Sequence, residues 1–248
     1  MTKHCEKHGD YEERRIAALP YAGPAFDLVE GCPLCAKEAV EREAAEERRA
    51  AEERKRARLE AMNIEPAYFG ASFDNFEAST PELAHNLERV RDLVEGRIQK
   101  VVMLGKNGTG KTHLACAALK VLGGKIMSMY EISTTIRASY TAIATRTELE
   151  IVNELARLPL LAIDEIGRTK GGDAEANWLS YIIDKRHVRG LPLILISNKH
   201  AQKDCERGGC SDCLENYIGE DIMSRLCEGG ALLKFTGNDY RKQSRKAA

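Results

Sequence analysis

The sequence predicts an α/β fold with a parallel five-stranded sheet, preceded by a small cysteine-containing module and a long charged helix. Three observations support this prediction. Apolar runs alternate with helical patterns from residue 99 onward, which is typical of a parallel sheet with helices on both faces. A stretch rich in Ala, Glu, Arg and Lys precedes them, and paired cysteine and histidine residues stand near the start of the chain. The expected strands are KVVMLG, KIMSMY, LPLLAIDE, LPLILISN and ALLKFT.

Residues 1–35 are too few and too irregular in pattern to bury a core of their own. They hold two ligand pairs, Cys5 with His8 and Cys32 with Cys35, separated by a loop. Such pairs supply the nitrogen and sulfur ligands of a tetrahedral structural Zn²⁺ site, which has no open coordination position. We therefore expect a zinc-binding module over residues 1–35 whose folding depends on the metal.

Residues 36–63 are expected to form a charged helix and linker. Most of this segment, AKEAVEREAAEERRAAEERKRARLEAM, consists of strong helix formers, and pairs such as Glu38 with Arg42 support the helix. No apolar stripe runs along it, which favours a solvated spacer over a coiled coil. The following NIEPAYFGASFDNF carries aromatic residues that we expect to pack on the next domain, residues 64–248.

A glycine-rich loop between the first apolar run and the helical pattern THLACAALKVL matches G-x-x-x-x-G-K-[ST]. Its backbone N–H groups can surround a β-phosphate, the Lys111 ammonium reaches the β- and γ-phosphate oxygens, and the Thr112 hydroxyl ligates Mg²⁺. The sequence therefore predicts that the protein binds ATP and Mg²⁺. The expected ATP-binding residues are Gly105, Lys106, Asn107, Gly108, Thr109, Gly110, Lys111 and Thr112.

Two adjacent carboxylates end the apolar run in LPLLAIDEIG. Acids at the carboxyl end of a strand, beside a phosphate loop, are costly without a cation, so we expect Asp164 to hold Mg²⁺. Glu165 is expected on the other side of the strand, where it can orient and deprotonate a water that attacks the γ-phosphate. Asn198, which ends LPLILISN, can polarise the same water or contact the γ-phosphate, and it also fits a turn that terminates a strand.

A second group of cysteines follows Asn198 in HAQKDCERGGCSDC. Three cysteines with one of two candidate fourth ligands leave two interpretations open. The group is either a second metal site, with zinc or an iron–sulfur centre, or a set of free thiols in a surface loop. The candidate ligands are Cys205, Cys210 and Cys213, with His200 or Cys227.

The segments GKNGTGKTHLACA, LLAIDEIG, LPLILISN and EPAYFGASFDNF together resemble the AAA+ ATPases, and more narrowly the DnaC-type helicase loaders and their IstB-like relatives. The resemblance implies that Arg225, in the sequence SRL, reaches into the ATP site of a neighbouring subunit and stabilises the γ-phosphoryl charge. A homo-oligomer in the ATP state, with weak hydrolysis by an isolated subunit, would follow. A surface salt bridge of Arg225 is the alternative.

The resemblance also implies contacts with single-stranded DNA. Two helices are expected in EISTTIRASYTAIATRTELEIVNELARL, where a minimal nucleotide fold needs one, and the additional helix contacts DNA in initiators and loaders of the AAA+ family. Arg137, Tyr140 and Arg146 would supply charge and stacking there, although such a sparse set also fits a solvated helix face. Arg241 resembles the arginine of the family's terminal SYR sequence, which implies a second nucleotide sensor.

The resemblance implies an ATP-dependent DNA replication protein that loads a hexameric replicative helicase onto single-stranded DNA. An IstB-like transposition helper, which acts with a transposase on duplex DNA, has much the same core and stays open. A P-loop small-molecule kinase is disfavoured by the adjacent Asp164 and Glu165 and by Arg225. The zinc module favours the loader as an appended partner-binding domain. Since some phage-encoded relatives carry such a module, it implies a phage or prophage origin.

The formal net charge is −1 over 248 residues, so no global electrostatic field indicates a nucleic-acid or membrane partner. The first residues contain no apolar signal segment, and no apolar run approaches the roughly 18 residues that a membrane span needs. We therefore expect a cytoplasmic protein without a membrane partner.

Overall fold

The chain falls into two compact units, Met1–Ala57 and Arg58–Ala248. The computed structural model describes residues 2–12, 15–16, 28–29, 31–168, 173–207, 210–237 and 239–240. The division of the sequence into a metal module, a charged helix and a nucleotide domain, with boundaries at residues 35 and 63, stays a prediction.

The first unit contains two antiparallel strand pairs and most of a long helix. Its elements are β1 (Thr2–Cys5), β2 (Gly9–Glu12), β3 (Arg15–Ile16), β4 (Leu28–Val29) and α1 (Pro33–Ala61). β1 pairs with β2, and β3 pairs with β4. Helix α1 begins between Cys32 and Cys35, earlier than its alanine- and glutamate-rich pattern indicates. Pro33 can open the helix because the N–H group that proline lacks has no intrahelical partner in the first turn.

The second unit is built on a sheet of five strands, all of them parallel. The strands are β5 (Lys100–Gly105), β6 (Gly124–Ser128), β7 (Leu160–Ile166), β8 (Leu193–Ser197) and β9 (Gly230–Phe235). Their order across the sheet is β6–β7–β8–β5–β9, so β8 lies between the strand of the phosphate loop and the strand of the acid pair. The predicted α/β fold with a five-stranded parallel sheet is confirmed.

Helices cover both faces of this sheet. They are α2 (Pro81–Val94), α3 (Lys111–Leu122), α4 (Met129–Ala138), α5 (Glu148–Leu155), α6 (Asp173–Arg189), α7 (Glu215–Ile218) and α8 (Glu220–Cys227). In β5, Val101 and Met103 face the core formed with α2 and α3, whereas Val102 and Leu104 face the core formed with α4 to α8. Within the described parts of the chain, no helix combines the length and apolar character needed to cross a membrane.

The predicted strand KIMSMY is shorter than expected, because a helix cap interrupts it. The Ser128 hydroxyl accepts a hydrogen bond from the Glu131 amide at 3.2 Å, and the Glu131 carboxylate accepts one from the Ser128 amide at 2.7 Å. This reciprocal pair starts α4 directly after β6. Met129 and Tyr130 therefore belong to the helix and not to the strand.

The aromatic segment before α2 packs on the core of α2 and α3, as predicted. Its side chains in this contact are Tyr68, Phe69, Phe73 and Phe76. The ammonium group of Lys120 on α3 fixes the segment by donating to the carbonyl oxygens of Tyr68, Phe69 and Ala71 at 3.0, 2.8 and 2.5 Å. These contacts hold the aromatic residues beside the start of α3.

A buried arginine, Arg186 of α6, joins the loops that lead into β7 and β8. Its guanidinium donates to the carbonyl oxygens of Leu155 and Leu158 at 3.0 and 2.9 Å, and to those of Pro159 and Pro192 at 3.2 and 2.5 Å. Burial lowers the pKa of Arg186 to about 10. Each of these buried carbonyl groups would cost about 1–3 kcal/mol if it lost its donor, so Arg186 fixes where the two strands begin.

Candidate nucleotide site and metal centres

The glycine-rich loop joins the carboxyl end of β5 to the first turn of α3, whose N–H groups have no intrahelical partner. Gly110 precedes the helix with a φ of 93°, a left-handed conformation. A Cβ atom at this position would lie 2.6 Å from Cε2 of Phe76. The loop therefore needs glycine here for its backbone conformation and for the close approach of the Phe76 ring.

Lys111 and Thr112 open α3 and connect the loop with the neighbouring strands. The Lys111 ammonium donates to the carbonyl oxygens of Gly105 and Lys106, both at 2.6 Å. The Thr112 hydroxyl donates to Oδ2 of Asp164 at 2.9 Å. The hydroxyl and the carboxylate predicted to hold Mg²⁺ are thus in contact, and both supply the oxygen ligands that this ion prefers.

The acid pair lies at a register shift in β7. Ile163 pairs with Leu195 but Ile166 pairs with Ser197, so β7 carries an extra residue relative to β8. Glu165 has a φ of 57°, a conformation that costs a non-glycine residue about 1–3 kcal/mol. Both Asp164 and Glu165 consequently line one cavity, whereas regular alternation would place them on opposite faces of the strand.

The environment of Asp164 suits a bound cation. Burial raises the pKa of this carboxyl group, and hydrogen bonds from the Thr112 hydroxyl and from the Glu165 amide at 2.6 Å act in the opposite direction. The desolvated carboxylate would be stabilised by a divalent cation. Glu165 is more exposed, and its carboxylate forms an ion pair with Arg168.

These groups surround a cavity of about 630 Å³. The predicted residues Asn107 to Thr112 line it together with Asp164, Glu165 and Asn198, whereas Gly105 and Lys106 contribute the carbonyl groups that hold Lys111. Other lining residues were not assigned to the site from the sequence: Tyr68, Asn75, Phe76, Glu77, His113, Arg168 and Tyr240. The volume and the combination of polar and aromatic lining residues suit a nucleotide.

The aromatic wall is held rigidly against α3. The rings of Phe76 and His113 have their centroids 5.7 Å apart and are inclined by 58°. Nε2 of His113 donates to the carbonyl oxygen of Ser72 at 2.9 Å. The backbone N–H of Tyr240 donates to the carbonyl oxygen of Gly108 at 3.0 Å, which brings the end of the described chain onto the phosphate loop. The density of aromatic residues in EPAYFGASFDNF was the available sequence signal for this wall.

A family model described as IstB-like ATP binding protein matches residues 32–248. The chain belongs to the IstB-like ATP-binding family. It is 27% identical over 246 residues to the replicative helicase loader DnaC of Escherichia coli K12, and the match covers 95% of this chain and 96% of that protein. It is 29% identical over 158 residues to an ATP-binding protein of insertion sequence IS21 from Pseudomonas aeruginosa, covering 61% of this chain and 56% of that protein.

The crystal structure of a DnaC helicase loader has the same fold as this IstB-like protein. The two align with a TM-score of 0.58 and 22% identity over 69% of this chain and 100% of that chain. The predicted AAA+ core and the membership in an ATP-binding ATPase family are therefore confirmed. The roles of individual site residues stay predictions.

Arg225 of this IstB-like protein lies outside the cavity of its own subunit. It stands on α8, where its half-exposed guanidinium forms an ion pair with Asp184 of α6. Its carbonyl oxygen accepts a hydrogen bond from the Lys100 ammonium at 2.5 Å, which fixes the end of α8 to β5. The side chain is thus held at the surface of the subunit, away from the local phosphate loop.

The residues Cys5, His8, Cys32 and Cys35 meet at one point of the first unit, with their ligand atoms within 4.8 Å of one another. Nδ1 of His8 lies 3.7, 3.6 and 3.3 Å from the sulfur atoms of Cys5, Cys32 and Cys35. Ligands of a tetrahedral zinc ion are expected about 3.5–3.8 Å apart, given its bond lengths. Nε2 of His8 faces Glu38 at 3.0 Å, and the N–H groups of Lys7 and His8 lower the pKa of Cys5 to about 6. The group can therefore hold a zinc ion.

The second cysteine group also converges, and His200 is the residue that completes it. The ligand atoms of His200, Cys205, Cys210 and Cys213 lie within 4.8 Å of one another. The alternative prediction, that Cys227 is the fourth ligand, is wrong. Cys227 stands exposed at the end of α8 and is not part of the group. Cys227 is the last residue of α8, whose Ile222, Met223 and Leu226 are buried in the core.

The candidate DNA-binding residues lie on α4 and on the loop that leads to α5, so the two expected helices are present. All three contact carboxylates: Arg137 lies 4.0 Å from Glu175, the Tyr140 hydroxyl donates to Glu148, and Arg146 pairs with Glu154. Tyr140 is nevertheless 63% exposed. Arg241, the candidate second sensor, lies outside the described residues.

Replacing Gly110 by alanine is expected to lower the affinity for ATP by about tenfold or more, since left-handed strain of about 1–3 kcal/mol and the contact with Phe76 both disturb the loop. Titration with a fluorescent ATP analogue measures the change. Gly96→Ala is the matched control, because Gly96 also has a left-handed φ, of 75°, but a Cβ atom there meets nothing within 4 Å. Equal affinities of the two variants would contradict this account of the loop.

Proposed function

We propose that this protein is an ATPase that loads a hexameric replicative helicase onto single-stranded DNA, acting in the cytoplasm as a homo-oligomer in its ATP state. The observation that carries the proposal is the similarity to the DnaC loader, which extends over 95% of this chain and 96% of the loader. A nucleotide cavity lined by the phosphate loop, both acids and Asn198 supports it, since a loader must couple ATP to its partner.

The residues of the cavity have separate proposed tasks. Thr112 and Asp164 would hold Mg²⁺, which when bound neutralises charge on the β- and γ-phosphates. Lys111 donates to phosphate oxygens. Its ammonium group already lies at the phosphate loop, where it donates to the carbonyl oxygens of Gly105 and Lys106. Glu165 orients the attacking water and accepts its proton, and Asn198 polarises that water from the end of β8.

The remaining charge at the γ-phosphate would be stabilised by Arg225 of a neighbouring subunit. Two observations support an action between subunits: Arg225 lies outside the cavity of its own subunit, and its guanidinium is half exposed. Its ion pair with Asp184 is a surface pair worth about 0–1 kcal/mol, so a phosphate can replace the carboxylate at little cost.

Single-stranded DNA would bind at the carboxyl end of α4 and along the loop before α5. Besides Arg137, Tyr140 and Arg146, this segment exposes Ile143, whose side chain is 89% accessible. Exposed aromatic and apolar groups beside arginines suit a sequence-tolerant groove in which bases stack and phosphates pair with charges. The ion pair of Arg146 with Glu154 is exposed and can exchange for a phosphate contact. The Arg137 guanidinium is itself exposed, although its partner Glu175 is buried.

Residues 1–35 would form a zinc-stabilised module that binds the helicase, with the exposed part of α1 as a spacer before the ATPase domain. The four converging ligands support the zinc site. The contact of His8 with Glu38 supports it further, since a histidine ligand is usually oriented by a carboxylate on its other nitrogen.

A transposition helper is the second candidate, favoured by the 29% identity to the IS21 ATP-binding protein. The two functions differ in their partner. In a loading experiment, the protein, a purified hexameric replicative helicase, ATP and circular single-stranded DNA are mixed, and helicase retained on the DNA is counted. Retention that depends on the protein and on ATP is expected. The loader proposal would be overturned if the protein did not retain the helicase on DNA but bound an IS21-type transposase on duplex DNA.

Arg225→Ala is expected to lower ATP turnover by about 10³-fold while ATP binding stays intact, because an arginine that acts in the transition state does not hold the ground state. Action between subunits is tested by mixing Arg225→Ala with Glu165→Gln, each inactive alone. The mixture should recover part of the hydrolysis, since some sites then combine Glu165 of one variant with Arg225 of the other. A mixture as inactive as its components would contradict action in trans.

Tyr140→Ala is expected to weaken binding of single-stranded DNA by about 1–3 kcal/mol, the contribution of one stacked base. Tyr130→Ala is the matched control, because Tyr130 is equally exposed, at 63%, but lies at the start of α4. Fluorescence anisotropy with a labelled oligonucleotide measures both affinities. If the two variants lost the same affinity, or neither lost any, the proposed groove would be wrong.

Glu38→Gln is expected to lower the zinc affinity of the first unit by about 10–100-fold, because it weakens the contact that orients His8. Competition against a chromogenic chelator measures the affinity. Glu41→Gln serves as the control, since Glu41 is on the same helix but pairs with Lys37 at 3.9 Å. Unchanged zinc affinity in Glu38→Gln would argue against this orientation of His8.

A further inference from the structure

The loop between β8 and α7 brings together four candidate metal ligands. None of them belongs to the motifs of the nucleotide site. Nε2 of His200 lies 3.3 Å from Sγ of Cys210 and 3.5 Å from Sγ of Cys213, and the two sulfur atoms are 3.9 Å apart. Cys205 completes the group, and its sulfur atom lies within 4.8 Å of the other three ligand atoms. We propose that His200, Cys205, Cys210 and Cys213 bind a structural zinc ion that positions the segment carrying Arg225.

The spacing of the ligand atoms favours one ion over a cluster or free thiols. Ligands of a single tetrahedral zinc ion lie about 3.5–3.8 Å apart. The observed separations of 3.3, 3.5 and 3.9 Å lie around this range. An iron–sulfur cluster contains several metal and sulfide atoms and needs a wider opening between its ligands. Free thiols are not expected to converge on one imidazole nitrogen, because an S–H group is a weak donor and its hydrogen bond to the nitrogen contributes little.

Hydrogen bonds hold the turn that carries Cys210 and Cys213. The N–H of Cys210 donates to Sγ of Cys213 at 3.3 Å, and the N–H of Cys213 donates to the carbonyl oxygen of Cys210 at 3.0 Å. The Asn216 amide donates to that same carbonyl at 2.7 Å. These hydrogen bonds fix the positions of the two sulfur atoms relative to each other.

His200 is held beside this turn by backbone pairing. Its N–H donates to the carbonyl oxygen of Asp212 at 3.1 Å, and its own carbonyl accepts from the N–H of Leu214 at 2.9 Å. The Lys199 ammonium donates to the carbonyl oxygen of Ser211 at 2.9 Å. The two ends of the loop are therefore already joined at the position where a metal would connect them, which lowers the entropic cost of assembling the site.

The site stands between two residues of the proposed mechanism. Asn198 follows β8 directly and precedes His200 by two residues, and α7 and α8 follow Cys213 and lead to Arg225. Leu214, Ile218 and Met223 anchor these helices in the core. The positioning part of the inference rests on the proposed function: zinc would fix the start of this segment, so its loss should disturb Arg225 and leave the ATP cavity of the same subunit intact.

The metal site is tested by the zinc content of the purified full-length protein, measured by mass spectrometry of the metal. Cys210→Ser and Cys213→Ser should each contain one zinc per chain less than the wild type. His200→Cys should retain that zinc because it keeps four ligands, which shows that a loss in the serine variants is not simple misfolding. Cys227→Ser is the matched control and should match the wild type. Unchanged zinc in both serine variants, or iron in place of zinc, would overturn the site.

The positioning role is tested on the same variants by separating ATP binding from turnover. In Cys210→Ser, kcat for ATP hydrolysis should fall by about tenfold or more, while KM for ATP stays unchanged. A displacement of a catalytic group by about 1 Å can lower the rate by about 100-fold, so a smaller displacement of Arg225 is enough for this fall. His200→Cys should recover the rate. Loss of zinc without a change in kcat would overturn the positioning role. The zinc content does not depend on ATP hydrolysis or on the helicase. The metal site can therefore be judged from it even if the proposed function is wrong.

Discussion

The position of β8 between β5 and β7 is the constraint on which the nucleotide site depends. Ser197 of β8 pairs with Leu104 of β5 on one side and with Ile166 of β7 on the other. The phosphate loop and the acid pair are therefore separated by one strand, and the residue after Ser197 falls between them. A parallel sheet places the carboxyl ends of all its strands at one edge, so Asn198 reaches the cavity without any further adjustment of the chain.

The sheet supplies only one wall of the cavity, and the segment before α2 supplies the other. Lys120 holds this segment on α3 by three hydrogen bonds to its carbonyl groups. The Phe76 ring then lies so close to Gly110 that the conformation of the loop and the position of the aromatic wall depend on each other. Tyr240 closes the same space from the far end of the described chain. Segments on both sides of the strands in sequence thus complete one site.

The two cysteine groups lie where the chain has little core to organise it. The first stands in a unit of short hairpins, in which Cys32 is buried just before α1. The second stands in a long connection between β8 and α7, which is short of regular structure. In both places four ligands from separate parts of the segment converge, so a metal ion could replace the apolar contacts that fix loops elsewhere.

Local pattern determined much of this protein. Apolar periodicity predicted the five strands, the alanine- and glutamate-rich run predicted α1, and the spacing of glycine, lysine and threonine predicted the phosphate loop, because each of these signals lies within a few residues of its effect. Tertiary structure decided the rest. The extra residue in β7 turns Glu165 to the side of Asp164, Arg186 holds carbonyl groups from the two loops before β7 and β8, and His200 instead of Cys227 joins the cysteines. Each of these outcomes depends on contacts between residues far apart in the chain, whose geometry no local spacing specifies.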